Sequence, residues 1–427
     1  MLLGEIYKKV IENKTLANGV LFSIYAFIGR GVAFVLLVIL ARYIPPSDYG
    51  KLSLFNTVIM LLGIFLTFST SGYFGISYFK EDKKTFHQDF TLIMMLLFLT
   101  GGMTLLVFSI FGEELSALAG INVELLWWAL LIAFVTVLYQ LHMDYYRLQE
   151  KVRMYGIMNL GNAILNAGFS LLLVITFSQG WMGRVNTQIC LSASFGVIAL
   201  VFFIRKGFFD FNIRKNRMKL ILLWGLPQIP HLATNWIRQG CDQYIINYNY
   251  STQEVGLFSF AFNLVGIITM IGMAFNSSNS VSISQILSSD KDNFDKINIL
   301  KKNTKSIFWV YLSATILTIF FGVVLVPLLL PKYADCIPYF LILSIYGFMV
   351  CMYFLFCNYL FYYEHTQKLM YITFGTSMLH LSLSLLLTQY SLYYTTIIYV
   401  VSQSICVGLV YLYSQRILKD ELTEYYV

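Results

Sequence analysis

Long apolar stretches alternate with short polar segments along almost the whole chain of 427 residues. A bilayer core about 30 Å thick takes about 20 apolar residues to cross as a helix. The pattern predicts twelve such crossings, over 16–40, 52–79, 88–111, 123–146, 153–177, 182–204, 220–248, 255–287, 306–330, 338–362, 368–388 and 391–414. The expected fold is therefore all-α and polytopic. No segment between crossings is long enough on the outer side to hold a separate domain.

The 29 Lys and Arg residues sharpen this picture. With the N-terminus placed in the cytoplasm, 23 of them fall on the inner side of the crossings. Only Arg42, Lys51, Arg184 and Lys332 fall on the outer side, and Arg30 and Arg238 lie inside crossings. Cytoplasmic segments of membrane proteins carry such an excess of cations. One missed or invented crossing would flip every later segment and spoil the sorting. An even number of crossings with both termini inside a plasma membrane is thus expected.

Composition agrees. The chain is 58% hydrophobic and only 12% charged, against about 25% charged in soluble domains. The net charge of +7 sits in inner segments, where topology and anionic lipid account for it and no nucleic acid is needed. The six cysteines form no CxxC pair, so neither a metal centre nor a disulfide framework is expected. There is no glycine-rich phosphate loop and no nucleophile elbow. No cofactor is expected. The first apolar stretch is too long for a cleaved signal and is expected to remain as a helix.

The chain also reads as two halves. The expected division is 1–204, a basic cytoplasmic linker at 205–219, and 220–427. The linker interleaves Arg205, Lys206, Arg214, Lys215, Arg217 and Lys219 with Phe208, Phe209 and Phe211. It is expected either to lie on the inner leaflet or to be a plain solvated connection. After the first crossing of each half comes a related segment. Aligning Gly50 with Gly256 pairs Asp48 with Glu254 and Ser53 with Ser259. Six crossings per half keep the direction, so this is a parallel repeat about an axis along the membrane normal. Such halves would form two pseudo-symmetric six-helix lobes around a central cavity.

The candidate chemistry lies inside crossings. Gln228, His231, Asn235, Arg238 and Asp242 step by three and four along the seventh crossing, which places them on one helical face. A polar stripe at membrane depth should face protein or a wet cavity. Arg238 and Asp242 stand at i and i+4 and could pair. Pro227 and Pro230 precede the stripe and should bend the helix. Two readings stand: a moving, cavity-lining element, or a salt bridge locking this helix to a neighbour. Arg30, between Gly29 and Gly31 in the first crossing, has no acid on its own helix. A guanidinium fork suits phosphate, so Arg30 and Arg238 point to an anionic substrate. Asn162 and Asn166, with Tyr155, Asn159 and Ser170, share a face of the fifth crossing. They could contact sugar hydroxyls or equally hold helices together. His380 is expected to be a hydrogen-bonded core histidine.

The segment Ala41-Arg42-Tyr43-Ile44-Pro45-Pro46-Ser47-Asp48-Tyr49-Gly50 resembles the signature after helix one of polysaccharide-biosynthesis flippases. Asp242-Gln243-Tyr244-Ile245-Ile246 followed by Glu254-Val255-Gly256-Leu257-Phe258-Ser259 resembles its second-half version, and Gly225-Leu226-Pro227 the opening of helix seven. These are lipid-linked oligosaccharide flippases of the O-antigen-unit type, in the multidrug/oligosaccharidyl-lipid/polysaccharide exporter superfamily. The resemblance implies alternating access that carries an undecaprenyl-pyrophosphate-linked glycan to the outer leaflet, for O-antigen, capsule or exopolysaccharide. It implies cationic residues for the head group, a role that Arg30 and Arg238 fit. It implies a coupling ion, H+ or Na+, and a polysaccharide polymerase and chain-length regulator as partners. Asp242, His231, Pro227 and Pro230 fit coupling or gating; Arg30, Arg238, Asn235, Asn162 and Asn166 fit substrate binding. The alternatives are an ion-coupled multidrug exporter of the same superfamily and a polytopic polysaccharide polymerase or glycosyltransferase.

Overall fold

A computed structural model describes residues 14–213 and 215–423. Among these the regular structure is helical throughout. The helices are α1 (Lys14–Tyr43), α2 (Pro46–Thr67), α3 (Tyr73–Lys80), α4 (Lys83–Ala119), α5 (Val123–Leu148), α6 (Val152–Leu171) and α7 (Gly180–Arg205). Then follow α8 (Lys215–Gly225), α9 (Ile229–Trp236), α10 (Asp242–Asn249), α11 (Thr252–Leu287), α12 (Asn293–Leu329), α13 (Ile337–Tyr362), α14 (Thr366–Leu387) and α15 (Leu392–Thr423).

Among the described residues eleven helices are long and apolar enough to cross a membrane, and the protein is a multi-pass membrane protein. The twelfth expected crossing is the seventh in order. It is present as a run of short pieces: α8, a 3₁₀ turn at Leu226–Gln228, α9, a π-turn at Ile237–Cys241, and α10. Pro227 lies in the 3₁₀ turn and Pro230 in the first turn of α9, where a missing N–H is tolerated. The first break therefore falls where the prolines announce it, whereas the π-turn holds no proline. The second crossing is likewise interrupted, at Phe68 and Ser69, both at positive φ.

The chain divides into two compact units, Met1–Ile44 with Leu54–Ala233, and Pro45–Ser53 with Thr234–Val427. The observed change of unit falls inside the seventh crossing, and the start of α2 belongs to the second unit.

In the first unit α1 lies along α6. The Tyr25 ring covers Gly156, and the Asn159 amide oxygen sits against Gly29. The linker after α7 is neither solvated nor laid flat throughout. Phe208 is 2% exposed and packs on Phe90, Phe203 and Tyr145. Phe211, by contrast, is exposed. The Asp210 amide donates to the Thr91 hydroxyl. Near the end of the linker, where α8 has begun, Arg217 donates to Glu81 and to both carboxylate oxygens of Asp89. The bonds to Asp89 chiefly, then Glu81, raise the pKa of the Arg217 guanidinium above its ordinary value. Part of the basic linker thus serves to clamp α8 onto α3 and α4.

In the second unit the first turn of α2 packs on the first turn of α11. Ser251 caps α11, its hydroxyl accepting from the Glu254 amide, as N-cap serines do. Tyr49 meets Phe260 and Tyr333 edge-on, and the Asn263 amide donates to the Tyr49 hydroxyl.

Candidate functional site

Arg238 and Asp242, the last two members of the polar stripe, face α14 of the second unit, which carries Thr376, Ser377, His380 and Ser384 along the matching side. The two run in the same direction, so a step of four along one meets a step of three to eight along the other. Arg238, in the π-turn, donates from Nε to Ser377, from one terminal nitrogen to Thr376 at 2.7 Å, and from the other to Gln403 of α15. The Tyr399 hydroxyl donates to the Arg238 carbonyl. Every one of these side-chain partners is neutral. No carboxylate lies within ion-pair distance of Arg238 among the described residues.

Asp242 is not paired with Arg238. Its carboxylate is 1% exposed and is satisfied by other groups. Oδ2 lies 2.7 Å from Nε2 of His380, and Oδ1 accepts from the Ser384 hydroxyl. A buried charge is tolerated only when paired and hydrogen-bonded, and α14 offers both. His380 is the hydrogen-bonded core histidine expected, but its partner is an acid. The spacing of Ser377, His380 and Ser384, three then four, was the signal for that pairing. Around it lies a run of buried hydroxyls. His380 Nδ1 is 3.1 Å from Ser402, Ser384 is 3.2 Å from Thr388, and Thr388 is 2.8 Å from Thr395.

The first-unit candidates are more dispersed. Arg30 is exposed on α1, one residue beyond the contact of Gly29 with Asn159. Asn162 and Asn166 are partly exposed. Asn162 hydrogen-bonds the Tyr139 side chain. Asn166 accepts from Arg184, which also donates to Ser170 at 2.8 Å. Arg184, counted above as an outer-side cation, thus reaches one turn into α7 and meets the amide face of α6. The side chains of His231 and Asn235 lie outside the described residues. His142 is buried among Tyr146, Phe202 and Phe203. The described residues hold no cluster of three or more His, Cys, Asp or Glu that could bind a metal.

Comparisons with known proteins place this geometry. The model of a family described as polysaccharide biosynthesis protein matches residues 15–283. An uncharacterized membrane protein of Haemophilus influenzae is 21% identical over 361 residues, covering 82% of this chain and 84% of its own. Among solved structures, the fold is similar to the inward-facing conformation of a multidrug resistance MATE family transporter of the MOP superfamily. That likeness has a TM-score of 0.74 at 13% identity, over 92% of this chain and 96% of the other. A MATE structure in complex with MaD3S aligns with a TM-score of 0.63 at 16% identity, over 96% and 97% of the two chains.

Proposed function

The chain belongs to the polysaccharide biosynthesis protein family, and on that premise we propose that it is a flippase for a lipid-linked glycan. Its substrate is an undecaprenyl-pyrophosphate-linked oligosaccharide, moved from the inner to the outer leaflet of the plasma membrane by alternating access. The glycan serves O-antigen, capsule or exopolysaccharide synthesis. Both termini lie in the cytoplasm, a reading supported by 23 cations on the inner side against four outside.

One observation carries the proposal. Arg238 sits at membrane depth, held in place by three neutral oxygens and opposed directly by no carboxylate. Such an arrangement fixes the fork and leaves its charge for an incoming anion. A structural salt bridge would have spent that charge on Asp242. Arg30 supplies the second cation. Asn162 and Asn166 are the sugar-contacting candidates, Asn166 with Arg184 beside it. Asp242 serves coupling, and the bends at Pro227 and Pro230 serve gating. A polymerase and a chain-length regulator are the partners.

A cell lacking the gene tests this. Wild-type protein restores surface glycan, whereas Arg30→Ala and Arg238→Ala, at matched protein levels, do not. Full output from both variants would remove the anion-site argument. The fold shared with multidrug MATE transporters favours a second reading, a drug exporter. It predicts drug resistance on expression and no change in surface glycan.

A further inference from the structure

The buried pair Asp242–His380 is built to hold one exchangeable proton. Three features point that way, and the first is that either protonation state leaves every polar atom satisfied. With His380 neutral, Nε2–H donates to Asp242 Oδ2 and Nδ1 accepts from Ser402. The Ser402 hydroxyl has a second acceptor in reach, the Tyr399 carbonyl at 3.3 Å. With the proton on Asp242 Oδ1, that O–H donates to the Ser384 oxygen, the Ser384 hydroxyl turns to Thr388, and Nε2–H keeps its bond to Oδ2. A histidine whose neighbours satisfy only one state would be structural, since an orphaned buried donor costs about 1–3 kcal/mol.

The second feature is a row of hydroxyls. Thr395, Thr388 and Ser384 are fully buried and hydrogen-bonded in sequence to Asp242 Oδ1. Thr388 ends α14 and Thr395 lies in the first turn of α15, so the row runs from the outer end of these helices to the pair. Each hydroxyl can pass its own proton inward: a hydronium that reaches Thr395 gives up a proton and leaves as water, an O–H bond forms at Thr395, and the last one, at Ser384, breaks to protonate Oδ1. The row then points the other way, and every oxygen keeps a partner.

The third feature is the charge count beside the substrate cation. The groups facing the pair and Arg238 are Cys241, Tyr346, Tyr353, Tyr399 and Cys406, all neutral in their ordinary states. Arg238, Asp242 and His380 then total zero without the proton and +1 with it.

We propose that Asp242 and His380 share a proton, reached through Thr395, Thr388 and Ser384, whose presence turns the Arg238 site from neutral to cationic and tightens its hold on phosphate. This deepens the flippase reading and rests on it. Sodium fits the pair poorly, because both Asp242 oxygens already accept from donors. By reciprocity an anion at Arg238 draws the proton onto the pair. In a coupled pair the proton belongs to both residues rather than to one.

The test uses the purified full chain and geranyl pyrophosphate as the probe, with affinity measured between pH 8 and pH 6 in potassium and in sodium buffers. Wild type should tighten at least about fivefold toward pH 6, equally in both salts. Asp242→Asn and His380→Gln should bind with little dependence on pH. Their folding is checked by thermal melting, and Thr388→Val supplies an isosteric variant away from the pair. That variant should keep the equilibrium affinity and slow the relaxation that follows a pH jump. Binding by wild type that ignores pH, or that follows sodium, overturns the proton site while leaving the flippase reading intact. Unslowed relaxation in Thr388→Val overturns the route. Absence of binding at any pH removes the anion site and this inference with it.

Discussion

Gly50 and Gly256, equivalent positions in the two halves of the sequence, lie directly against each other. A Cβ on Gly50 would stand 1.9 Å from the Thr252 carbonyl oxygen, and one on Gly256 would stand 1.8 Å from the Pro46 carbonyl oxygen. No side chain fits there, since the obstacles are backbone atoms on both sides. The repeat is therefore visible twice, once as a sequence match and once as a self-complementary contact between the starts of α2 and α11.

Alanine at either glycine should force these helix ends apart. Overpacking of this kind costs about 1–3 kcal/mol. Gly50→Ala and Gly256→Ala should each lower the melting temperature of the purified protein. Gly408→Ala, where nothing lies within 4 Å of the added carbon, should leave it unchanged or slightly raised. Equal melting of all three would show that the contact is not formed.

Within the first unit Arg217 clamps the start of α8 to α3 and α4. Asp89 is 1% exposed and accepts from both Arg217 and Ser77. Removing the cation strands a buried carboxylate, which costs about 3–5 kcal/mol. Arg217→Ala should lose more stability than Asp89→Asn with Arg217→Met together, measured by thermal melting. The reverse order would mean that the pair is solvated.

A double-mutant cycle on Asp242 and His380 should show coupling. His380→Ala alone leaves Asp242 with neutral hydroxyl partners only and should cost about 3 kcal/mol or more. Adding Asp242→Asn should recover part of that loss. Strict additivity in thermal melts would show that the two side chains do not interact.

Much of this fold is legible in the sequence, because apolar length and cation sorting are local and strong. Eleven crossings appear among the described residues, most ends close to those expected, although the second stops early at Thr67 and the ninth begins early at Asn293, and the prolines locate the first break in the twelfth. That Arg238 and Asp242 share a side of the seventh crossing is legible from their spacing, but their partners are not. Arg238 and Asp242 sit at the right spacing to pair, yet α14 offers each a better-placed group. That competition depends on which helix packs alongside, and no pattern within one crossing reveals it. The basic linker misleads for a similar reason. Phe208 and Arg217 look like membrane-surface residues until Phe90 and Asp89, over a hundred positions earlier, are seen beneath them.

The topology is open to direct labelling. In a cysteine-free background, Asp290→Cys, between α11 and α12, should react with a membrane-impermeant maleimide only in inverted vesicles. Gln389→Cys, between α14 and α15, should react only in intact cells. The opposite sidedness would reverse the inner and outer assignments throughout.

The central claim is that guanidinium charge at membrane depth receives a phosphorylated lipid head group. Its most direct test is flipping in proteoliposomes of a labelled undecaprenyl-pyrophosphate-linked sugar, read by the share accessible to an external probe. Wild-type protein should speed this well above protein-free vesicles, and Arg238→Ala and Arg30→Ala should abolish the gain. A wild-type rate equal to that of empty vesicles, or undiminished flipping by both variants, would contradict it.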